Sequence, residues 1–137
     1  MARKRLGEML LEARLINEDG LRAALSEQKR WGGPLGRFFV DLGLVSEEVL
    51  VQTLSRQLTL PIVDVTSINI HPSVLALVPA QFCHTTGVLP FSQPMKFLDV
   101  AMIDATNQST IDALQVMTKL NVRPHLCGPR ALEKAIG

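Results

Sequence analysis

The stretches Arg5-Leu-Gly-Glu-Met-Leu-Leu11 and Pro34-Leu-Gly-Arg-Phe-Phe-Val40 open two 24-residue units with one pattern. The units cover residues 5–28 and 34–57, and the spacer Lys29-Arg-Trp-Gly-Gly33 joins them. Eight of the 24 paired positions are identical: Leu6/Leu35, Gly7/Gly36, Leu15/Leu44, Glu18/Glu47, Leu21/Leu50, Leu25/Leu54, Ser26/Ser55 and Gln28/Gln57. A repeat of fixed period indicates a repeated structural unit. We therefore expect a pseudo-symmetric surface that suits an elongated ligand or a repeated partner.

Each unit has the pattern of two helices joined by a tight link. Apolar residues recur at helical spacing in both halves of each unit. Asn17 and Ser46 are suited to cap the longer helices, and Gly43 is suited to end the short helix of the second unit. The sequence predicts a four-helix N-terminal subdomain in which neither repeat buries its apolar face alone.

The composition changes after residue 58. Residues 60–65 have the pattern of an extended entry to a strand, and residues 88–91, 97–103 and 122–127 predict three strands separated by helical segments. Pro124 makes the last of these a candidate edge strand, because proline donates no backbone hydrogen bond. The predicted class is α+β. Residues 1–58 form the helical subdomain, and residues 59–137 form a small α/β subdomain with about three strands.

The composition is that of a globular protein, and the small net charge gives no strong electrostatic field. The chain has 137 residues, of which 47% are hydrophobic. Its net charge is only +1, so its overall charge does not draw it to nucleic acid or to an anionic membrane. No apolar run approaches the ~20 residues that span a bilayer, and the N-terminus lacks a secretory signal. Cys83 and Cys127 lack metal-like spacing and are expected to be reduced, buried thiols. These features predict a cytoplasmic protein without membrane insertion.

The usual catalytic motifs are missing from the sequence. It contains no phosphate-binding Gly-x-x-x-x-Gly-Lys loop, no Gly-x-Ser-x-Gly elbow and no His-Glu-x-x-His helix. Tyrosine is absent, and the few aromatic residues are not interleaved with basic ones, which argues against a stacking surface for DNA or RNA. We expect no catalytic residue, no metal site and no cofactor.

The repeated residues have a structural and a functional interpretation. Gly7 and Gly36 lie where a helix begins, and glycine there permits either close helix packing or the approach of a ligand to the backbone. Gln28 and Gln57 are ordinary solvated residues or polar contacts beside an apolar patch. The repeated leucines are core residues, or some of them face outward against a flat ligand.

A few unpaired residues carry binding chemistry. Arg3 and Arg5 suit guanine, whose N7 and O6 accept two hydrogen bonds from a guanidinium group. Asp104 follows a predicted strand and either caps the turn toward Thr106 or holds an arginine of the first subdomain. Trp31 lies in the spacer, where it either covers a base or pins the repeats together.

These residues together resemble the MshEN domain, the N-terminal region of many type II secretion and type IV pilus assembly ATPases. The resemblance rests on the Leu-Gly openings, the spaced leucines and the terminal glutamine, repeated after five residues. It extends into Leu60-Pro-Ile-Val-Asp-Val65, Val88-Leu-Pro90 and Val100-Ala-Met-Ile-Asp104. It covers nearly the whole chain.

The resemblance implies that the paired motifs bind cyclic di-GMP, the one ligand expected. By matching positions, Arg5, Gln28 and Gln57 are polar contacts, Gly7 and Gly36 permit close approach, and Arg3 pairs with Asp104 beside a guanine. The implied apolar clasp consists of Leu6, Leu21, Leu25, Leu35, Leu50 and Leu54. Further implied partners are an ATPase module and an inner-membrane component of a secretion or pilus system.

The two motifs differ at matched positions. Pro34 replaces the arginine that opens the first motif, and Arg14 stands where the second motif has Gly43. The two halves are therefore expected to hold a ligand unequally. The rival function is a protein-interaction adaptor that docks a secretion or pilus component without nucleotide, in which all the leucines are core.

Overall fold

Each repeat forms a short helix followed by a longer one. A computed structural model describes residues 5–136, and Arg3 lies outside these residues. The four helices of the repeats are α1 (Leu6–Glu12), α2 (Glu18–Trp31), α3 (Leu35–Asp41) and α4 (Glu47–Leu58). The predicted four-helix arrangement of the two units is confirmed.

The two longer helices begin with the predicted caps. The side chain of Asn17 accepts a hydrogen bond from the Gly20 N–H at 2.8 Å. Ser46 Oγ accepts one from the Val49 N–H at 3.2 Å. Both bonds satisfy an amide that has no partner inside its helix, so each polar residue fixes where its helix starts.

The two short helices end in the same hydrogen-bond pattern. Arg14 has a φ of 60° and Gly43 a φ of 72°, both in the left-handed region. Around Arg14, the Arg14 N–H donates to the Leu11 carbonyl and the Leu15 N–H to the Leu10 carbonyl, both at 3.0 Å. The same bonds recur 29 residues later, around Gly43. This is the Schellman arrangement, and Arg14 adopts it although it is not a glycine.

The second half wraps short helices around one sheet. Its first regular element is a single 3₁₀ turn at Val65–Ser67. The remaining elements are α5 (Pro72–Leu75), α6 (Ala80–Thr86), β1 (Val88–Ser92), β2 (Phe97–Met102), α7 (Gln108–Thr118), β3 (Asn121–Leu126) and α8 (Pro129–Ile136).

The sheet has three strands in the order β1-β2-β3. β1 pairs antiparallel with β2, with an irregularity between Pro90 and Ser92. β2 pairs parallel with β3, and α7 makes the crossover between them. β3 lies at an edge of the sheet, as Pro124 predicted. The α+β class is therefore confirmed.

The extended entry predicted over residues 60–65 contributes an isolated bridge and no strand of its own. The segment makes a single bridge, in which Leu126 donates to the Pro61 carbonyl at 2.8 Å and Val63 donates to the Leu126 carbonyl at 2.9 Å. Asp64 then caps the 3₁₀ turn by accepting a bond from the Thr66 N–H. Because Pro61 has no N–H and Asp64 turns the chain, the segment is too short to form a ladder.

One cluster of buried residues lies between the repeats and the sheet. It includes Leu10, Phe39 and Leu54 from the repeats, and Val100 and Leu114 from the second half. The division into residues 1–58 and 59–137 stays a prediction, and α4 does end at Leu58. Among residues 5–136, no helix combines the length and the apolarity needed to cross a membrane.

Both cysteines are buried free thiols, as expected. Cys83 is 4% exposed and Cys127 is 2% exposed. Burial raises the pKa of the Cys83 thiol to about 11. For Cys127, burial and then the nearby Glu47 carboxylate raise the pKa to about 12. Both thiols therefore stay protonated near neutral pH, which makes them poor nucleophiles.

Candidate functional site

A cavity of about 720 Å³ lies where the repeats meet the loop after β2. The first repeat contributes Arg5 and Leu6 from the start of α1, and Leu25 and Gln28 from α2. Leu35, at the start of α3, belongs to the second repeat. The opposite wall consists of Asp104 and residues 106–109, which lead into α7. We call this space the first cavity, and its volume is in the range of known small-molecule sites.

The first cavity combines an exposed cation with a fixed carboxylate. Arg5 is exposed and is the residue that precedes α1. Asp104 is half-buried, and its Oδ1 accepts hydrogen bonds from the Thr106 N–H at 2.9 Å and from the Thr106 hydroxyl. Among the described residues, both bonds to Asp104 use this oxygen, which leaves Oδ2 for a ligand. The predicted turn-capping role of Asp104 is therefore present, and it orients the carboxylate.

Gln28 is tied to the spacer and is not a freely solvated side chain. Its Nε2 donates to the Gly33 carbonyl at 2.9 Å. The bond joins the last turn of α2 to the residues just before α3. Gln28 also lines the first cavity, and the bond to Gly33 holds its carboxamide in place.

A second cavity of about 680 Å³ lies beside the first. Gln108, in the first turn of α7, lines both cavities. The second cavity has no charged residue in its described lining. It has three carboxamides, from Gln57, Gln108 and Gln115, and the apolar residues Met9, Leu58, Leu60, Ile111, Val122 and Pro124. The two cavities thus form neighbouring compartments, each with the terminal glutamine of one repeat.

The structure brings seven of the thirteen predicted site residues to these cavities. Arg5, Leu6, Leu25, Gln28, Leu35 and Asp104 line the first cavity, and Gln57 lines the second. Five others line neither cavity: Gly7, Leu21, Gly36, Leu50 and Leu54. The predicted pairing of Arg3 with Asp104 falls outside the described residues.

The leucines of the predicted clasp divide into two groups. Leu25 is 44% exposed, and Leu21 and Leu35 are partly buried. In contrast, Leu6, Leu50 and Leu54 are at most 2% exposed, although Leu6 still contributes to the cavity wall. A contact between ligand and Leu50 or Leu54 stays a prediction, and it requires the core to rearrange.

Both repeated glycines lie in tight contacts. A Cβ added at Gly7 would lie 2.7 Å from Leu21 Cδ1, and one added at Gly36 would lie 2.8 Å from Ile103 Cγ2. Neither glycine lines the first or the second cavity. Of the two interpretations of these residues, close packing is the one with contacts in its favour.

Thr106, Asn107, Gln108 and Ser109 are cavity residues that the motif analysis did not include. The sequence contains a signal for them: an unbroken polar run follows the apolar strand β2 and precedes an amphipathic helix. Polar residues at such a strand-to-helix connection often line a site. The run has no counterpart in the repeats, so repeat matching alone could not find it.

The chain matches a known domain family and is similar in sequence to two characterised proteins. The family model of the MshEN domain matches residues 58–137. A type IV pilus assembly ATPase PilB of Thermus thermophilus is 32% identical over 124 residues. A PilB of Myxococcus xanthus is 30% identical over 132 residues. The matches cover 89% and 96% of this chain but only 14% and 23% of those proteins, so the chain spans a small part of these relatives.

Two solved structures have the same fold. A structure of MshE with cdg matches with a TM-score of 0.67 and 27% identity, over 98% of this chain and 97% of that one. The N-terminal domain of XpsE matches with a TM-score of 0.76 and 25% identity, over 99% and 96%. Both matches include the tandem repeats as well as the sheet.

Proposed function

Because this chain belongs to the MshEN domain family, we propose that it is a non-catalytic regulatory module that binds cyclic di-GMP. The ligand lies along the two neighbouring cavities, and binding regulates a type IV pilus or type II secretion ATPase. One observation carries the proposal: Arg5, Gln28 and Asp104 come from three separate places in the sequence and converge on one cavity. The structural similarity to MshE, which was solved with this ligand, supports it.

The first cavity has the groups that a guanine requires. A guanidinium such as that of Arg5 donates to guanine N7 and O6, and a carboxylate such as Asp104 accepts from the guanine amino group. Leu25 and Leu35 supply apolar surface for the flat face of the base. The part of the second cavity formed by residues 5–136 offers carboxamides and apolar groups but no charge. We therefore place the tighter half-site in the first cavity.

The proposal assigns the ligand a connecting role between the two halves of the chain. Its first contacts come from α1 and α2 of the repeats, and the rest come from the loop between β2 and α7. A ligand that touches both walls favours the arrangement in which they are close. It shifts the conformational equilibrium only by its difference in affinity for the two arrangements.

Titration calorimetry tests the proposal directly. The wild-type chain should release or absorb heat with cyclic di-GMP and give no signal with cyclic di-AMP at the same concentration. Arg5→Ala should weaken binding at least tenfold, because a charged hydrogen bond is worth roughly 1.5–3 kcal/mol. The matched control is Arg22→Ala, since Arg22 is exposed, pairs with Asp19 and lines neither cavity. An absence of heat at high micromolar ligand would refute the proposal.

The adaptor function remains the second candidate because Leu50 and Leu54 are core residues, as that function requires. Leu25→Ala separates the two functions, since Leu25 is 44% exposed and lines the first cavity. It should weaken cyclic di-GMP binding without a loss of stability. Leu42→Ala is the control, because Leu42 is 42% exposed and lies outside both cavities. Ligand-independent binding of a pilus component would support the adaptor.

A further inference from the structure

Trp31 is an exposed aromatic residue that the proposed site does not yet use. It is the only tryptophan of the chain, and it is the last residue of α2. Its side chain is 68% exposed. Exposure of so large an apolar surface is unfavourable in water, so a role in which the indole becomes covered would account for it.

Trp31 does not line the first cavity, but it lies between two residues of the chain that do. Gln28, three residues earlier on α2, lines that cavity, and so does Leu35, four residues later. Residues three apart on a helix have Cβ atoms about 5–6 Å from each other. The spacer, residues 29–33, therefore connects two residues that line the cavity, and Trp31 is its central residue.

The backbone after Trp31 turns sharply and has open space beside it. Gly32 and Gly33 have φ values of 76° and 97°, a conformation that favours glycine. Apart from the neighbouring residues in the chain, no heavy atom of residues 5–136 lies within 4 Å of a Cβ added at either position. Gln28 makes two hydrogen bonds to this turn. Its carbonyl accepts one from the Gly32 N–H at 2.7 Å, and its side chain donates one to the Gly33 carbonyl. The turn is thus anchored at the cavity, while its outer side is unobstructed.

The first cavity lacks one contact that nucleobases usually make. Its described lining has a cation, a carboxylate, carboxamides, hydroxyls and leucines, but no aromatic ring. Aromatic side chains stack on purines whatever the sequence or edge pattern. The Arg30 guanidinium lies 5.1 Å from the centroid of the Trp31 ring. Arg30 occupies one face of the indole, which leaves the other face for a base.

We propose that Trp31 closes over the first cavity and stacks on the guanine bound there, with Arg30 behind the indole. The proposal rests on cyclic di-GMP being the ligand of this chain. It assigns the spacer a direct part in binding, so that the base lies between the indole and the leucines of the cavity. The base edge remains available to Arg5 and Asp104.

Tryptophan fluorescence and calorimetry on the same samples test this assignment. Because Trp31 is the sole tryptophan, all indole emission reports on this position. Cyclic di-GMP should quench the emission saturably, with the Kd measured by calorimetry, and should shield the indole from acrylamide. Trp31→Ala should raise the Kd about tenfold and Trp31→Phe less than threefold, because phenylalanine retains stacking. Val116→Ala, at a residue 79% exposed and outside both cavities, should leave the Kd unchanged.

The outcomes separate this inference from the proposed function. Heat of binding with unchanged emission, unchanged acrylamide access and a normal Kd for Trp31→Ala would overturn the role of Trp31 and leave cyclic di-GMP binding intact. No heat with the wild-type chain would overturn both. The wild-type fluorescence experiment needs no substitution, so a folding defect in a variant cannot obscure the answer.

Discussion

Arg14 and Gly43 occupy matched positions of the two repeats and have nearly the same backbone conformation. The left-handed conformation costs a residue with a Cβ roughly 1–2 kcal/mol, and glycine avoids this cost. Both residues are exposed, and no heavy atom lies within 4 Å of a Cβ added at Gly43. The first repeat therefore pays a conformational cost that the second does not, for the same turn.

Placing glycine at position 14 and removing it from position 43 should change the free energy of unfolding in opposite directions. Arg14→Gly should stabilise the chain by about 0.5–1 kcal/mol, and Gly43→Ala should destabilise it by about 1 kcal/mol, because only the backbone conformation is at stake. Urea denaturation followed by circular dichroism measures both. Arg22→Gly in the middle of α2 is the control for Arg14→Gly and should destabilise by about 1 kcal/mol. Destabilisation by Arg14→Gly would show that its side chain makes compensating contacts.

The longer helices of the two repeats, α2 and α4, differ in their contacts with the second half of the chain. Glu47, in the first turn of α4, accepts hydrogen bonds from the Arg130 N–H at 2.8 Å and the Ala131 N–H at 3.0 Å. These amides belong to the first turn of α8 and have no partner within that helix. Glu18, the matched residue of α2, is exposed. The glutamate of the second repeat thus links α4 to α8, whereas the matching glutamate of the first repeat lies at the surface.

Removing these two carboxylates should therefore have unequal effects. Glu47→Ala should destabilise the chain by about 1–2 kcal/mol and increase hydrogen exchange at the start of α8, because a cap is lost. Glu18→Ala should cost about 0.5 kcal/mol or less, through its helix dipole alone. Mass-spectrometric hydrogen exchange and thermal denaturation of the two variants provide the comparison. Equal losses would mean that the bonds to α8 contribute nothing measurable.

The sequence predicted most elements but could not distinguish equivalent residues. The caps at Asn17 and Ser46 are local, so their chemistry is legible in a few residues. Leu25 and Leu54 have the same place in the repeat, yet Leu25 is 44% exposed and Leu54 is 1% exposed. The difference arises because α4 contacts β3, whereas α2 packs on α3. That depends on how the second half folds over the repeats, which periodicity does not encode.

The same limit applies to the site. The repeated motif identified Arg5 and Gln28, which line the first cavity. Asp104 was identified because it follows a predicted strand. The wall formed by residues 106–109 was missed because its members matter only once α7 is placed against the repeats. The extended segment at residues 60–65 makes only one bridge, to Leu126, because the chain turns at Asp64.

For the whole molecule, the shared core is the dominant feature. The largest buried cluster includes residues of all four repeat helices and of β1, β2, β3 and α7. Apolar surface on either half is thus covered by the other. The two predicted subdomains share the interior that makes each of them stable.

The chain should therefore unfold in one cooperative step. Scanning calorimetry should give a calorimetric enthalpy equal to the van 't Hoff enthalpy. A fragment of residues 59–137 should lack a cooperative transition, since it exposes the surfaces of Val100 and Leu114 that the cluster buries. Two separable transitions, or a well-folded fragment with its own melting temperature, would contradict a shared core.

The close approach of Ile103 to Gly36 makes the two repeated glycines unequal in their tolerance of substitution. Ile103 is branched at Cβ and precedes Asp104, so a methyl group gained at Gly36 would press on a stiff side chain next to the site. At Gly7, the facing atom is the mobile tip of Leu21. Gly36→Ala should therefore disturb the position of Asp104 more than Gly7→Ala does, although neither glycine lines the first cavity.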